Sequence, residues 1–497
     1  MKFLFKHKVE ILILLALLVG YLILRLPNLT LQPIFADEAI YIRWAQVMRA
    51  EPTLRFVSLS DGKTPLFMWT MIPLLKFIHD PLFAGRFLSV ISGMFTMLGV
   101  YFLSRKVFSK RAAYWAALLY MLTPYTVFFD RMALVDSMLA SFTVWAVYFT
   151  VWLLKSLRLD LAMILGYLLG GAILTKTPGL LNLLVIPLSI VGFKREKGSK
   201  LVKLMIFLGV AIAIALVMYN SLRLGPEFQK LSARNGDYIF SPQELLGRPL
   251  DPFIPHFHDI ADWFPKLLTW PILFTSIIGI LYLFFPIHRL GIVVLLFALI
   301  PMFLNMAFLK TFTARYLLTS IPLFLTLGGF GVTKLLPRLA YIQRFPVVLM
   351  LLVLLPIPLY FDYLLLTAPQ NAPLPKEERK GYFEDWTAGY GFRSIADFLL
   401  EQSKNQKVVL GTEGFFGTLP DGLQIYLDKA PVAIVPSQGT ISAQLKKSAK
   451  DQLTYFVGNK KRLSVRSEDA ILIKEYPKAK PSDGSPEDSI VFYQVLP

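Results

Sequence analysis

The chain has 497 residues, is 55% hydrophobic and carries only 17% charged residues, with a mean hydropathy of +0.56. These values are typical of a multispan membrane protein and argue against a soluble enzyme. The net charge of +18 does not indicate nucleic-acid binding, because residues 367–497 hold 17 Lys and Arg against 16 Asp and Glu. Nearly all excess positive charge therefore lies in 1–366, between apolar runs, where membrane topology requires it. The absence of cysteine excludes disulfides and thiolate metal sites.

Apolar runs of helical length divide residues 1–366. The first run extends to about Leu26 and follows three lysines, but no small-x-small cleavage pattern comes after it. We therefore predict an uncleaved first span instead of a secretory signal. Ten further runs bring the predicted number of spans to about eleven: 82–103, 112–129, 134–154, 159–174, 178–193, 203–220, 266–286, 290–309, 315–333 and 345–366.

Basic residues between these runs set the predicted orientation. With the N-terminus in the cytoplasm, every cytoplasmic turn carries Lys or Arg, and the strongest anchor is FKREKGSKLVK at 193–203. The same orientation places the first loop (28–81), a large loop (221–265) and the tail (367–497) outside. We therefore predict a multi-pass protein of the cytoplasmic membrane with extracytoplasmic outer loops and tail.

The first outer loop carries an acidic pair, Asp37 and Glu38, at the start of a predicted helix. Apolar residues from Glu38 to Ala50 recur with helical spacing, which predicts an amphipathic helix along the membrane surface. Asp37 lies at or near the N-cap, where a carboxylate can cap the helix or take part in chemistry. Tyr41 lies on the apolar stripe and is a candidate substrate contact.

A lysine precedes the second helix of this loop. Lys63 is followed by Thr64 and Pro65, which suit the N-cap and the first position of a helix. Free N–H groups and the positive end of the helix dipole, together with the charge of Lys63, suit a phosphate. The alternative is an interfacial lysine whose ammonium group extends to water.

Further charged residues lie at the outer ends of later spans. Asp136 falls in the first turn of the fourth span, where a carboxylate is costly and indicates function, although pairing with Arg131 would be a structural alternative. Arg315 lies at the outer end of the tenth span and can pair with a phosphate or anchor the helix. Tyr316 beside it is a candidate substrate contact.

The large outer loop contains a His-x-His pair. His256 and His258 are candidates for binding substrate or a divalent metal, but such a pair is a weak metal signal because many are structural. We therefore predict that the protein requires no cofactor, with a divalent metal as the alternative.

Residues 367–497 differ in pattern from the apolar part. Helix-like GFRSIADFLLEQ alternates with β-rich runs such as KVVLGTEG and QLTYFVG, which predicts a small α/β domain long enough to bury its own core. The proline-rich piece 368–378 is the predicted linker. The sequence thus predicts a polytopic α-helical membrane domain (1–366) and an extracytoplasmic α/β domain (367–497).

In this order and topology, the motifs resemble the GT-C membrane glycosyltransferases, specifically glycosyltransferase family 39. That family includes the protein O-mannosyltransferases and the bacterial lipid A aminoarabinose transferases. The resemblance covers most of residues 10–320 and implies a GT-C fold. FADEAIY resembles the family's first-loop Asp-Glu motif, FDRMALVDSML its Arg–Leu-x-Asp-Ser-Met segment, GKTPLFMW its Lys-Pro-Pro-Leu-x-x-Trp segment and TARYLL its Arg-Tyr segment.

The resemblance also implies roles for the candidate residues. Asp37 would be the base that activates the acceptor, supported by Glu38, and Lys63 and Arg315 would hold the donor phosphate. Because they lie at the same predicted outer face, we add Asp136 to the catalytic candidates and Arg131 to the phosphate-binding candidates. Two departures speak against a bound metal and against that particular sugar and acceptor. Gly62 stands where the aminoarabinose enzymes have a metal-ligating glutamate, and Ile40 stands where they have arginine.

We therefore predict inverting transfer of a sugar from a polyprenyl-phosphate donor to an acceptor hydroxyl on a protein, lipid or glycan. The reaction would take place at the outer face of the cytoplasmic membrane, with an aspartate base and without nucleic acid. The alternative is a lipid or polysaccharide transporter or flippase, which would place ionisable groups or broken helices near the midplane in both halves. Nearly charge-free span centres favour the enzyme.

Overall fold

The structure, a computed structural model, describes residues 8–194, 198–248, 250–340 and 345–497. Part of the predicted orientation rests on basic residues outside these ranges: Lys2, Lys6, Arg195, Lys197 and Arg344. Contacts group the chain into two compact units. Unit 1 comprises Met1–Pro27, Arg55–Phe67 and Phe87–Pro373, and unit 2 comprises Asn28–Leu54, Met68–Arg86 and Leu374–Pro497.

Residues 8–373 are mostly helical, as the apolar runs predict. Their α-helices are α1 (Lys8–Ile23), α2 (Ala36–Ala50), α3 (Leu66–Phe77), α4 (Pro81–Val107), α5 (Lys110–Leu122), α6 (Pro124–Asp130), α7 (Val135–Ser156), α8 (Leu159–Thr175), α9 (Leu181–Leu188), α10 (Gly198–Asn220), α11 (Lys230–Ala233), α12 (Asn235–Tyr238), α13 (Pro242–Gly247), α14 (Phe253–Trp263), α15 (Trp270–Leu281), α16 (Arg289–Phe308), α17 (Ile321–Ala340), α18 (Pro346–Leu354) and α19 (Pro356–Thr367).

Among the described residues, six helical stretches are long and apolar enough to cross a membrane. The bent pairs α5–α6 (59°) and α14–α15 (112°) raise the number to eight if each pair is one span. The predicted number of about eleven spans is therefore not confirmed. The predicted spans 159–174 and 178–193 form shorter apolar helices, since Pro178 and Gly179 lie in a 3₁₀ turn between them and Pro187 interrupts the second.

Close backbone packing fixes two helices of unit 1 against each other. A Cβ atom at Gly279 of α15 would lie 1.9 Å from the carbonyl oxygen of Leu327, and one at Gly331 of α17 would lie 2.0 Å from that of Thr275. Small residues at facing positions allow this approach, which is a common device of membrane helices.

A buried charged network joins α1 to the bend between α5 and α6. Arg25 and Asp130 are fully buried, and Arg25 Nε donates to Asp130 Oδ2 at 3.2 Å. Asp130 also accepts hydrogen bonds from Tyr21, Tyr120 and Ser137. A buried ion pair is tolerated when its remaining lone pairs and protons are satisfied in this way. The network holds the segment that leads into α7.

The C-terminal part of unit 2 is an α/β structure, which confirms that prediction. Its elements are α20 (Lys376–Arg379), β2 (Ala388–Gly389), α21 (Phe392–Gln402), β3 (Val408–Thr412), α22 (Thr418–Gln424), β4 (Val432–Pro436), α23 (Ala443–Ser448), β5 (Leu453–Asn459), β6 (Ala470–Pro477) and β7 (Ser489–Val495). The five-stranded sheet has the order β4-β3-β5-β7-β6, with β3 parallel to both β4 and β5, and β7 antiparallel to both β5 and β6.

Unit 2 also contains most of the first outer loop. Strand β1 (Ile34–Phe35) pairs antiparallel with β2, and α2 packs on α22. Ten of the fifteen residues of α2 are buried, including the polar Glu38 and Gln46. The predicted amphipathic helix is therefore packed inside this unit, and residues of its polar side are buried as well as those of its apolar side. Where the membrane part ends, between residues 366 and 367, stays a prediction.

Candidate active site

The acidic pair lies in the first turn of α2, in unit 2. The helix begins after Phe35, whose backbone is extended, so Asp37 is inside the first turn and does not occupy the N-cap position. Its side chain is half-buried. A carboxylate in the first turn of a helix is favoured in its ionised form by the helix dipole, which is the form that a general base requires.

Glu38 is held by a buried arginine that sequence reasoning did not select. Arg86 donates from Nε and Nη2 to the two carboxylate oxygens of Glu38, both at 2.8 Å, and both side chains are fully buried. The same guanidinium donates to the carbonyl oxygens of Leu29, Gln32 and Pro33. This bidentate pair fixes the start of α2 to the preceding loop. Glu38 thus positions Asp37 through the helix.

A second group of predicted residues meets in unit 1. Lys176 Nζ lies 2.6 Å from Asp136 Oδ1, and Asp136 is only 3% exposed. The same ammonium lies 4.2 Å from the ring centroid of Tyr316, whose ring lies 5.3 Å from the guanidinium carbon of Arg315. Three predicted residues therefore come together around Lys176. The arrangement sets two cations beside one aromatic ring, a geometry suited to an anionic group.

The segment that carries Arg315 and Tyr316 is itself anchored. Tyr125 Oη donates to the carbonyl oxygen of Ala314 at 2.5 Å, and Asn305 Nδ2 donates to that of Tyr316 at 3.4 Å. These bonds come from α6 and α16, which hold the 3₁₀ turn at 314–317 in place. Arg315 is therefore presented by a fixed turn.

Lys63 belongs to a chain of charged side chains in unit 1. Its Nζ lies 3.3 Å from Asp61 Oδ2, and Asp61 Oδ1 accepts from Arg234 Nη1 at 2.9 Å. Gly62 between them has φ of +69°, the left-handed conformation that glycine adopts without strain. The side chain of Lys63 is 22% exposed. Asp61 and Arg234 were not predicted as neighbours of Lys63.

A hydrophobic cluster joins the segments of Lys63 and Lys176. Its buried members are Leu59, Leu174, Leu222 and Leu231. Leu59 precedes Lys63 by four residues, and Leu174 precedes Lys176 by two. The cluster therefore holds the two cation-bearing segments together in unit 1.

The remaining predicted residues have other surroundings. Arg131 is 5% exposed and donates from Nη1 to the carbonyl oxygens of Arg25 and Pro27. It therefore ties the end of the first helical segment to the turn before α7. Tyr41 is buried and packs against Trp44, with ring centroids 6.2 Å apart. A role for these two residues in substrate binding stays a prediction.

The two histidines point in different directions on α14. His256 is buried, its Nδ1 lies 2.8 Å from the carbonyl oxygen of Met306, and its ring packs on Phe312. His258 is exposed. Neither belongs to a group of three or more His, Asp or Glu side chains in the part of the chain that the structure describes. The pair therefore does not form a joint ligand set for a metal.

Lys176 and Arg86 are the main residues that the sequence prediction missed. Arg86 lies inside the apolar run 82–103, and an ionisable residue in such a run indicates function by default. Lys176 directly follows the apolar helix α8 on the predicted outer side, where cations are otherwise few. Both positions were therefore detectable, but their partners lie 40 or more residues away in the chain.

Comparisons with a family model and with solved structures agree with the resemblance found in the sequence. Residues 62–221 match the family model described as dolichyl-phosphate-mannose-protein mannosyltransferase. Among solved structures, the chain is similar to ArnT from Cupriavidus metallidurans, at 15% identity over 98% of both chains, with TM-scores of 0.60 for the apo state and 0.57 for the state bound to undecaprenyl phosphate. The chain has a GT-C fold.

The oligosaccharyltransferase AglB from Archaeoglobus fulgidus, in complex with an inhibitory peptide and a dolichol-phosphate, is a more distant GT-C neighbour. It matches at 14% identity over 91% of this chain and 69% of that chain, with a TM-score of 0.54. No curated protein sequence matches the chain. The GT-C fold expected from the resemblance is thus confirmed, and the matched family segment contains Lys63, Arg131, Asp136 and Lys176.

Proposed function

We propose that this GT-C protein transfers a sugar from a polyprenyl-phosphate donor to an acceptor hydroxyl on a lipid, glycan or protein. The observation that carries the proposal is the group formed by Asp136, Lys176, Tyr316 and Arg315, which sets two cations beside one aromatic ring. Its fold neighbour ArnT has been solved with undecaprenyl phosphate bound. A lipid phosphate is the ligand that both facts support.

The proposed reaction inverts the configuration at the anomeric carbon. Asp37 accepts the proton of the acceptor hydroxyl while that oxygen forms a bond to C1 of the sugar. The bond between C1 and the phosphate oxygen breaks on the opposite face, and polyprenyl phosphate leaves with an added negative charge. Lys63, Lys176 and Arg315 stabilise that charge, which develops only as the bond breaks. Asp136 orients Lys176.

Lys63→Ala and Arg315→Ala are expected to raise the KM for the lipid donor and lower kcat, because both cations would contact the leaving phosphate. Each change should cost roughly 10- to 100-fold in kcat/KM, the range of a lost charge-assisted contact. Steady-state transfer assays with purified variants measure this. Lys310→Ala is the matched control, because the Lys310 ammonium group is bonded to the carbonyl oxygen of Gly236 and to the carboxylate of Glu244 and has no role in the proposed phosphate site. A normal KM and kcat in either test variant would contradict its assigned role.

We expect transfer to proceed without a divalent metal. Gly62 stands where a ligating glutamate would be required, and His256 and His258 do not share a face. Activity should therefore persist after exhaustive dialysis against a chelator, with less than a twofold change on adding Mg²⁺ or Mn²⁺. Complete loss with the chelator, reversed by either metal ion, would mean that a metal is part of the site.

We place the tail and the large loop 221–265 on the outer face of the cytoplasmic membrane. The reason is that the Lys- and Arg-rich segments between the spans all fall on the opposite, cytoplasmic side in the predicted orientation. Protease added to intact spheroplasts should then cleave within 374–497, and a cytoplasmic marker protein should survive. Protection of the tail in intact spheroplasts, with cleavage only after lysis, would reverse the proposed topology.

A further inference from the structure

The helix that carries Asp37 is held by residues that lie more than 300 positions later in the chain. At its N-terminal end, Phe35 pairs with Ala388 in the two-stranded sheet, and the N–H of Ala36 donates to the carbonyl oxygen of Thr387 at 3.0 Å. The ring of Phe35 lies 4.6 Å from that of Tyr382. The backbone directly before Asp37 is therefore fixed by the C-terminal segment of unit 2.

In the second half of α2, two arginines share one carboxylate of the C-terminal residues. Asp428 accepts from Arg43 Nη1 through Oδ1 at 3.1 Å and from Arg49 Nη2 through Oδ2 at 2.9 Å. Between these two arginines, Gln46 Nε2 donates to the carbonyl oxygen of Ile425 at 2.8 Å. One short C-terminal segment, 425–428, thus bonds to about two turns of α2.

Partial burial strengthens these ion pairs. The side chains of Asp428, Arg43 and Arg49 are 20%, 26% and 28% exposed, so solvent screens the charges less than at an open surface. Each arginine has a second partner, since Arg49 Nη1 donates to the carbonyl oxygen of Leu75 and Arg43 Nη1 to Gln46 Oε1. Asp428 is therefore the junction of a bonded network, and its loss would remove the ion pairs of both arginines with the C-terminal residues.

Asp428 is relevant to chemistry because its bonds help to fix the direction of the helix that carries Asp37. Asp37 lies twelve residues from Arg49 on one helix, which is roughly 18 Å at 1.5 Å per residue. Without the ion pairs of Asp428, α2 would be able to turn about its bonded first turn, and the direction of the Asp37 side chain would change with the helix. A catalytic side chain must be held within about 10–20° of its productive geometry.

We propose that the C-terminal segment of unit 2 orients α2 for catalysis and that Asp428 is its positioning residue. This inference rests on the proposed function, because it assumes that Asp37 acts on the acceptor. It gives the C-terminal α/β part a role in turnover that needs no contact with the substrate. Asp428→Ala should lower kcat about tenfold or more and leave the KM for the lipid donor within twofold. A merely structural defect would lower thermal stability and the amount of folded protein, and would leave kcat per folded molecule unchanged.

Two variants serve as controls. Asp428→Glu keeps the charge and should retain turnover near that of the wild type. Asp469→Ala removes a carboxylate of the same C-terminal segment that pairs with Lys446 instead of α2, and it should leave kcat unchanged. Equal loss in the Asp428 and Asp469 variants, or a normal kcat in Asp428→Ala, would overturn the assignment.

A reversible cross-link tests whether fixing the start of α2 restores turnover. The chain has no cysteine, so Phe35→Cys with Ala388→Cys introduces a single thiol pair at directly opposed strand positions. In the Asp428→Ala background, oxidation should restore most of the lost turnover and reduction should remove it again. A cross-link that forms without restoring turnover, or fails to form, would overturn the proposal. If the wild type consumes no lipid donor, the proposed function fails instead, and the yield of the cross-link still reports whether the two segments pair.

Discussion

Asp37→Asn is expected to lower turnover by at least about 100-fold, the lower bound for a lost general base, while donor affinity changes little. An acceptor hydroxyl is a poor nucleophile at neutral pH and must lose its proton as the new bond to C1 forms. Asparagine keeps the shape of the side chain and can still donate and accept hydrogen bonds, but it cannot take up that proton. The substitution therefore separates proton transfer from packing.

Asp136 is the competing carboxylate, and its surroundings suggest a different defect. It is 3% exposed and paired with Lys176 at 2.6 Å, so its loss would release a cation of the proposed phosphate site. We expect Asp136→Asn to raise the donor KM more than it lowers kcat. Both variants are compared in one transfer assay with protein of equal thermal stability. Near-normal turnover in the Asp37 variant would remove the proposed base.

Arg86→Ala should lower the free energy of unfolding by about 3–5 kcal/mol, the usual cost of leaving one partner of a buried ion pair alone. The change leaves the Glu38 carboxylate and the carbonyl oxygens of Leu29, Gln32 and Pro33 without the guanidinium that now bonds them. Thermal unfolding in detergent measures the loss. The double variant Glu38→Gln, Arg86→Ala should recover part of it, because no uncompensated charge remains.

Arg393→Ala is the matched control for this result. Arg393 also belongs to unit 2 and pairs with Asp80 and Asp397, but its side chain is 55% exposed. Exposed pairs contribute only about 0–1 kcal/mol. Equal destabilisation by the two arginine variants would mean that burial of the Glu38–Arg86 pair has no special weight.

Local patterns in the sequence were sufficient to predict most helices. The run predicted at 134–154 is α7 (Val135–Ser156), and the run at 112–129 is the bent pair α5–α6, since Pro124 begins a new helix there. Pattern length alone does not confirm the predicted number of spans, because a proline or a Pro-Gly pair inside a run shortens the helix without changing its hydropathy.

Partners distant in sequence could not be predicted from the same patterns. Nothing near Asp136 indicates that Lys176 will approach it, and nothing near Arg43 indicates Asp428, which lies 385 positions away. The first outer loop likewise shows no local sign that it packs with the C-terminal residues. Such contacts are fixed by the tertiary fold, and a single sequence carries a signal only for the residue types involved.

The central claim is that a polyprenyl-phosphate sugar is the donor. Purified protein in detergent is incubated with a set of undecaprenyl-phosphate sugars and an envelope fraction of its own source as acceptor. We expect at least one donor to be consumed, with release of undecaprenyl phosphate and attachment of the sugar in inverted configuration, and no consumption by the Asp37→Asn variant. If the folded wild-type protein consumes no more of any donor than the Asp37→Asn variant does, the proposed function is contradicted.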